Sequence, residues 1–279
     1  MVKYIIMSIV VLLTISIKGD IERDLKSAAD AGDSYAQNRL GGLYADQGNL
    51  DLAEYYWTLA ADNGFNEAQN NLGNFYNEKK RVDLAEFFWK LAADDGHLNA
   101  QNNLGTLYDR QEKLDLAEYY WKLAADDGHL IAQYNLGYLY EIQGKDDLAE
   151  YYYTLAADKG NHDARYRIGY LYDAKGNSDL AEHHYKLAAD AGDHYSIWRL
   201  ARFYMEHDKL ELAEKYFKLA LDNGKYRSSE RSSIQRSLGR VYEWQDQLDL
   251  AEHYYKLAAE GGDSSAQQNL DALYKKLGK

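Results

Sequence analysis

Ala100-Gln-Asn-Asn-Leu-Gly-Thr-Leu-Tyr108, a short polar gap, then Asp115-Leu-Ala-Glu-Tyr-Tyr-Trp-Lys-Leu-Ala-Ala-Asp-Asp-Gly128 is the stretch that decides the fold. Near-copies lie on either side. Tyr108 recurs as Tyr44, Tyr76, Tyr140, Tyr172, Tyr204, Tyr242 and Tyr274, spaced by 32 residues except for one gap of 38. A fixed period in this range is the signature of a repeat array, in which no unit buries its apolar face alone and stacking supplies the core.

Within the unit two helices are legible. Ala100, Leu104, Leu107 and Tyr108 fall at i, i+4, i+7 and i+8, one apolar stripe of a first helix. Ala117, Trp121 and Ala124 make the buried face of a second. Gly105 sits mid-helix, where Gly costs roughly 1 kcal/mol against Ala. Its recurrence as Gly41, Gly73, Gly137, Gly169 and Gly239 implies that the missing side chain lets a partner helix come close. Ala201 and Asp271 depart from that pattern. Asp115 with Glu118 reads as a reciprocal capping box for the second helix, repeated as Asp51/Glu54, Asp83/Glu86, Asp147/Glu150, Asp179/Glu182 and Asp249/Glu252. Gly128 and its equivalents stand where a helix ends on a left-handed residue. A chain without proline suits this reading, because Pro breaks helices. The expected fold is all-α: an α-α solenoid (superhelix) of about eight 32-residue helix-turn-helix repeats over residues 20–279, opening and closing on single helices.

These residues resemble the tetratricopeptide superfamily, and in particular its Sel-like branch. From Leu72 the order Leu-Gly, Tyr76, Ala85, Trp89, Ala92 matches the tetratricopeptide pattern, although its proline is missing throughout. The junction Ala60-Ala61-x-x-Gly64-x-x-x-Ala68-x-x-x-Leu72-Gly73 is that of Sel-like units, without their longer interhelix loop. The resemblance implies a non-enzymatic adaptor for protein or peptide partners, and it specifies fold far better than function.

Composition removes other classes. The formal net charge of −13, with no basic stripe, argues against nucleic acid. There is no Cys, hence no disulfide or thiolate site. The eight His form no ligand set: His97 and His129 share a post-Gly position used elsewhere by Asp33, Asp193 and Asp263, which points to helix capping. No phosphate loop, nucleophile elbow or zinc-protease motif occurs. No catalytic residue, metal or cofactor is expected.

Met1 to Gly19 differ from the rest: Lys3, an apolar run from Tyr4 to Ile17, then Lys18 and a small residue before Asp20. This is the layout of a cleaved secretory signal, too short for the roughly 18 or more residues of a membrane span. The expected location is secreted or periplasmic/lumenal; the alternative is an anchor formed by residues 4–17.

A partner is expected on the first helices, which should line the concave face of such a stack. Two positions before the Leu lie Asn38, Asn70, Asn102, Tyr134, Tyr166, Trp198, Arg236 and Gln268; two after it lie Gly42, Asn74, Thr106, Tyr138, Tyr170, Arg202, Arg240 and Ala272. Tyr, Trp and Arg are frequent interface anchors. Asn71, Asn103 and Asn135, just before the Leu, resemble the asparagine ladder with which the repeats of O-linked N-acetylglucosamine transferase hold a peptide backbone, since a carboxamide both donates and accepts. The plainer reading is that they satisfy local groups or face water. An insertion around Lys225–Arg231, near Arg236 and Arg240, forms either a basic patch or a solvated loop or lengthened helix. A second reading of the whole is a self-associating envelope protein held through Tyr119, Tyr120 and their equivalents.

Overall fold

The computed structural model describes residues 21–192, 194–222 and 226–278. The apolar leader therefore lies outside the described residues, and among those described no helix is long and apolar enough to cross a membrane. A helix over residues 21–30, α1, precedes α2 (Ser34–Asp46), α3 (Leu50–Asp62), α4 (Asn66–Glu78), α5 (Val82–Asp94), α6 (Leu98–Arg110), α7 (Leu114–Asp126) and α8 (Leu130–Ile142). Then follow α9 (Asp146–Asp158), α10 (His162–Ala174), α11 (Ser178–Asp190), α12 (His194–Glu206), α13 (Leu210–Asp222), α14 (Ser228–Trp244), α15 (Leu248–Glu260) and α16 (Ser264–Leu277). The chain forms two compact units, one ending at Leu136 and one beginning at Gly137, so the division falls within α8.

In the first unit α2/α3, α4/α5 and α6/α7 are antiparallel hairpins, each resting on the next through α3 against α4 and α5 against α6. In the second, α10/α11, α12/α13 and α14/α15 stack the same way, with α9 and α16 at the ends. The fold is an all-α solenoid of helix-turn-helix repeats.

The mid-helix glycines are seats for aromatic rings. A Cβ on Gly105 would lie 2.4 Å from Cδ1 of Trp121, and one on Gly169 would lie 2.7 Å from Cδ1 of Tyr185. Trp57, Trp89, Tyr153 and Tyr255 sit on Gly41, Gly73, Gly137 and Gly239 likewise. Ala201 occupies the corresponding place in the repeat whose ring is Phe217, and both are fully buried. The turn glycine Gly128 has φ 87°, the left-handed conformation its place after α7 requires.

Side-chain caps occur on both helix types, Asn49 and Asn177 capping α3 and α11, while α4 begins at Phe65 without one. Five first helices are capped at the post-Gly position, as the sequence suggests: Asp33, Asn161 and Asp263 accept from the N–H three residues on, and His97 and His129 do so through Nδ1 at 3.2 Å. The insertion lengthens a helix, since α14 has 17 residues where its neighbours have 13.

The expected capping boxes of the second helices do not form. α7 starts at Leu114 with Lys113 in the cap position, making no side-chain cap bond, and Asp115 lies inside the first turn. The glutamate, Glu118, then lies two residues beyond the position from which a side chain reaches back. Instead the Tyr hydroxyl of the following first helix donates to it: Tyr76 to Glu54 at 2.6 Å, Tyr108 to Glu86 at 2.8 Å, Tyr204 to Glu182 at 3.0 Å, Tyr274 to Glu252 at 3.0 Å. Burial and the carboxylate beside it push the Tyr76 hydroxyl up to about 12, so the tie keeps its proton at any physiological pH. Asp115 still favours the helix by facing its positive end.

Candidate protein-binding site

The first helices of each unit approach one another, and their facing side chains carry the residues singled out above. In the first unit the asparagines hydrogen-bond from helix to helix. Asn71 Nδ2 donates to Asn38 Oδ1 at 2.9 Å, Asn103 Nδ2 to Asn70 Oδ1 at 3.2 Å and to Asn74 Oδ1 at 3.0 Å, and Asn135 Nδ2 to Asn102 Oδ1 at 3.2 Å. Asn70 and Asn102 are buried beneath them. The ladder thus ties neighbouring repeats, with the carbonyls of Asn71, Asn103 and Asn135 outside these bonds. Asn74 also accepts from Trp89 Nε1 at 3.1 Å, which fixes the ring that sits on Gly73. Two amide-bearing hollows result: about 280 Å³ beside Asn38, Arg39 and Asn71, and about 100 Å³ beside Asn74, Asn103, Thr106 and Arg110.

In the second unit the aromatic and basic positions converge. Tyr166, Tyr170 and Arg202 line one cleft of about 90 Å³ together with Asp173, Tyr185, Arg199, Phe203 and Glu206. The Tyr166 ring packs 5.4 Å from Tyr185, and the Arg199 guanidinium lies 5.2 Å over it. Arg199 is also stacked at 4.8 Å on Tyr195 and 5.0 Å on Trp198, and donates to the Tyr195 hydroxyl. Its Nε is buried without a partner, as is Trp198 Nε1. Arg202 bridges to Glu206 at 2.8 Å on the same helix. Burial pushes the Tyr166 hydroxyl up, with Arg199 and Arg167 opposing the shift. Asp173 is raised by burial too, although His207 stands 3.4 Å away. The cleft therefore offers stacked rings, two guanidinium groups and two carboxylates, Asp173 and the Glu206 that pairs with Arg202.

The remaining positions lie apart. Tyr138 is exposed, with the Arg167 guanidinium 5.1 Å over its ring and Arg167 held by Glu141 at 3.1 Å. Tyr134 is half-buried on α8. Arg236 is engaged by the cap residue Asp263 at 2.8 Å, and Arg240 stacks on Trp244 at 4.9 Å. Near the insertion Arg231 donates to the Leu221 carbonyl and Glu230 closes on the Arg227 N–H. Of the cations expected to gather there, Arg231, Arg236 and Arg240 are drawn to separate internal partners, and Lys225 lies outside the described residues.

Sequence reasoning missed Tyr185, Asp173, Phe203 and Glu206 as cleft residues. Tyr185 fills the repeated ring position on Gly169 and is as buried as its counterparts, so only its place at the floor of the cleft, visible in three dimensions, marks it. It also missed a run of glutamines: Gln37, Gln69, Gln101 and Gln133 are buried, and their Nε2 atoms donate to the carbonyls of Ala29, Ala61, Ala93 and Ala125 at the preceding helix end. The recurring Ala-Gln of the first helix was the available signal. Among the described residues no group of three or more His, Asp and Glu is placed to hold a metal ion.

Stacked hairpins with side chains offered on one helix face define a helical repeat protein of the interaction type. Residues 34–65, 66–97, 98–129, 130–161, 194–225 and 238–263 match the Sel1 repeat, and residues 162–191 match a tetratricopeptide repeat. The chain belongs to the Sel1 repeat family, whose members are generally non-enzymatic scaffolds for protein contacts. No curated protein matches it by sequence. Among solved structures it is similar to a protective antigen of uropathogenic Escherichia coli strains displaying an SLR fold, at 23% identity and a TM-score of 0.73 over 90% of this chain and 59% of that one. It is also similar to a Sel1 repeat protein from Oxalobacter formigenes, at 24% identity and a TM-score of 0.67 over 92% of this chain and 80% of that one. This chain thus spans well under two thirds of the antigen's length. Both likenesses concern the fold alone.

Proposed function

We propose that the chain is an exported, non-enzymatic scaffold that binds a protein or an extended peptide along its first helices, anchored in the cleft of Tyr166, Tyr170 and Arg202. One observation carries this reading: in that cleft aromatic walls and the Arg199 guanidinium are held in place by packing, and Arg202 by its ion pair with Glu206, before any partner arrives. Rigid rings and Arg lose little entropy on binding, which is why they dominate interface energetics. The cleft suits an aromatic or carboxylate side chain of the partner, and the amide-bearing hollows of the first unit suit peptide backbone. Export rests on the leader sequence from Lys3 to Gly19. Sequencing the amino terminus of the native protein tests it, with Asp20 as the expected first residue and an intact Met1 contradicting it.

The cleft is tested by crosslinked capture from the native compartment. Tyr170→Ala with Arg202→Ala removes two side chains that face solvent, so helicity should be unchanged while capture of the partner falls by about tenfold or more. Undiminished capture would remove the cleft from the reading.

A further inference from the structure

The opposite side of the first unit has features that the groove does not use. On α3, α5 and α7 the rings of Tyr55, Phe87 and Tyr119 are 54%, 53% and 56% exposed, at the same place in each repeat. Each is held edge-on to an inner ring, Tyr55 to Tyr56 at 5.1 Å, Phe87 to Phe88 at 5.1 Å and Tyr119 to Tyr120 at 5.0 Å. Those inner rings stack in turn on Tyr44, Tyr76 and Tyr108, each at 5.6 Å. The outer rings are therefore fixed in attitude by a pile three rings deep. Leu91 and Leu123, one turn further along their helices, are exposed on the same face.

The scaffold does not require these rings. In the second unit the same helix position holds Tyr151, then His183, Lys215 and His253; the two imidazoles keep the edge-on packing, on His184 and Tyr254, while Lys215 dispenses with a ring on a hairpin built in the same way. An apolar ring at this position on α3, α5 and α7 is thus not demanded by the hairpin, and a row of exposed apolar side chains is a usual mark of an interaction surface.

The chemistry around the rings selects the occupant. Asp51, Asp83 and Asp115 flank the row at one end of the helices and Asp62, Asp94 and Asp126 at the other. All six are exposed and none forms a salt bridge among the described residues, whereas of the two lysines beside the rings Lys90 is paired with Glu86 and Lys122 is exposed, so the face stays acidic on balance. An anionic membrane or a second copy of this chain, itself at −13, would meet repulsion here. A helix with an apolar stripe flanked by Lys or Arg would place that stripe on the rings and its cations against both rows of aspartates. We propose that this face of the first unit binds a cationic amphipathic helix, a second site independent of the groove.

The test titrates the full chain into a fluorescent, idealised Leu/Lys amphipathic helical peptide and follows anisotropy. Saturable binding is expected, weakened by added salt. Tyr55→Ser, Phe87→Ser and Tyr119→Ser together should weaken it by about tenfold or more, because a cation-only attraction would not sense the rings. The exposed sites leave folding intact, checked by far-ultraviolet circular dichroism. Tyr170→Ala in the groove should leave peptide binding unchanged, which separates this site from the other. The proposal is overturned if the triple variant binds as well as the parent, or if a Leu/Glu counterpart binds equally. It is overturned equally if the rings support sedimentation of the chain as a dimer, or uptake on phosphatidylglycerol vesicles, in place of peptide binding.

Discussion

Placing a methyl group on Gly105 tests the packing rule on which the stack is built. The Cβ of Gly105→Ala would stand 2.4, 2.6 and 2.7 Å from Cδ1, Nε1 and Cγ of Trp121. Carbon atoms pack at about 3.5–4.0 Å, so the ring or the helix must move by roughly 1 Å. Trp121 is only 4% exposed, and its ring has no free space to enter. Overpacking of this kind costs about 1–3 kcal/mol, against which Ala regains roughly 1 kcal/mol of helix propensity. The net expectation is a loss of up to about 2 kcal/mol, read as a lowered urea midpoint by circular dichroism and by tryptophan fluorescence. Adding Trp121→Phe should recover part of the loss, because Ala201 over Phe217 is that pair in the native chain. A single variant that is more stable than the parent, with no coupling to Trp121, would refute the reasoning.

Three further outcomes follow from the repeats compared with one another. Glu112 has φ 59° in the turn where other repeats have Gly48 or Gly144, so Glu112→Gly should stabilise by about 1 kcal/mol in a urea titration; a destabilised variant would show that its side chain contributes more than its strain costs. Gln69 Oε1 is buried without a donor, while in the preceding repeat Asn63 Nδ2 donates to Gln37 Oε1 at 3.5 Å. Asp95 takes the place of Asn63 at the end of α5, so Asp95→Asn supplies a donor, removes a charge at the negative end of the helix, and should raise the melting temperature by the equivalent of about 1 kcal/mol. No change would mean the glutamine oxygen is otherwise served. Burial holds the His97 imidazole below its ordinary 6.5, and its cap on Ala100 needs the neutral ring. The contribution is therefore whole above about pH 6.5 and fades as acidity passes the lowered folded value, a slope that His97→Asn should abolish in melts between pH 7 and 5.

How far the sequence reached depends on whether a feature is local. The helices, their glycine ends and the post-Gly caps follow from spacings within one repeat, and the period repeats them; the mid-helix glycines were legible as close approaches, but not as seats for the rings 16 residues on. Glu86 misled because Asp83-x-x-Glu86 satisfies the pattern of a capping box, whereas its partner, the buried hydroxyl of Tyr108, lies 22 residues away in the next hairpin. A desolvated phenol needs an acceptor, and only the stacked structure shows which one is near. The asparagines were legible as a ladder but not as rungs bonded to one another. The cleft was legible through Tyr166, Tyr170 and Arg202, which depart from the repeat, while Tyr185 obeys it and gave no sign of a second role.

The central claim is that a partner occupies the first-helix cleft of the second unit. A photo-crosslinking residue placed at Tyr170, which is 46% exposed at the cleft, tests this in the native compartment, with the exposed Lys276 on α16 as control. A discrete protein adduct from position 170 and none from 276, lost on Arg202→Ala, is the predicted result. The same adducts from both positions, or none from 170 while the chain still captures its partner, would contradict it.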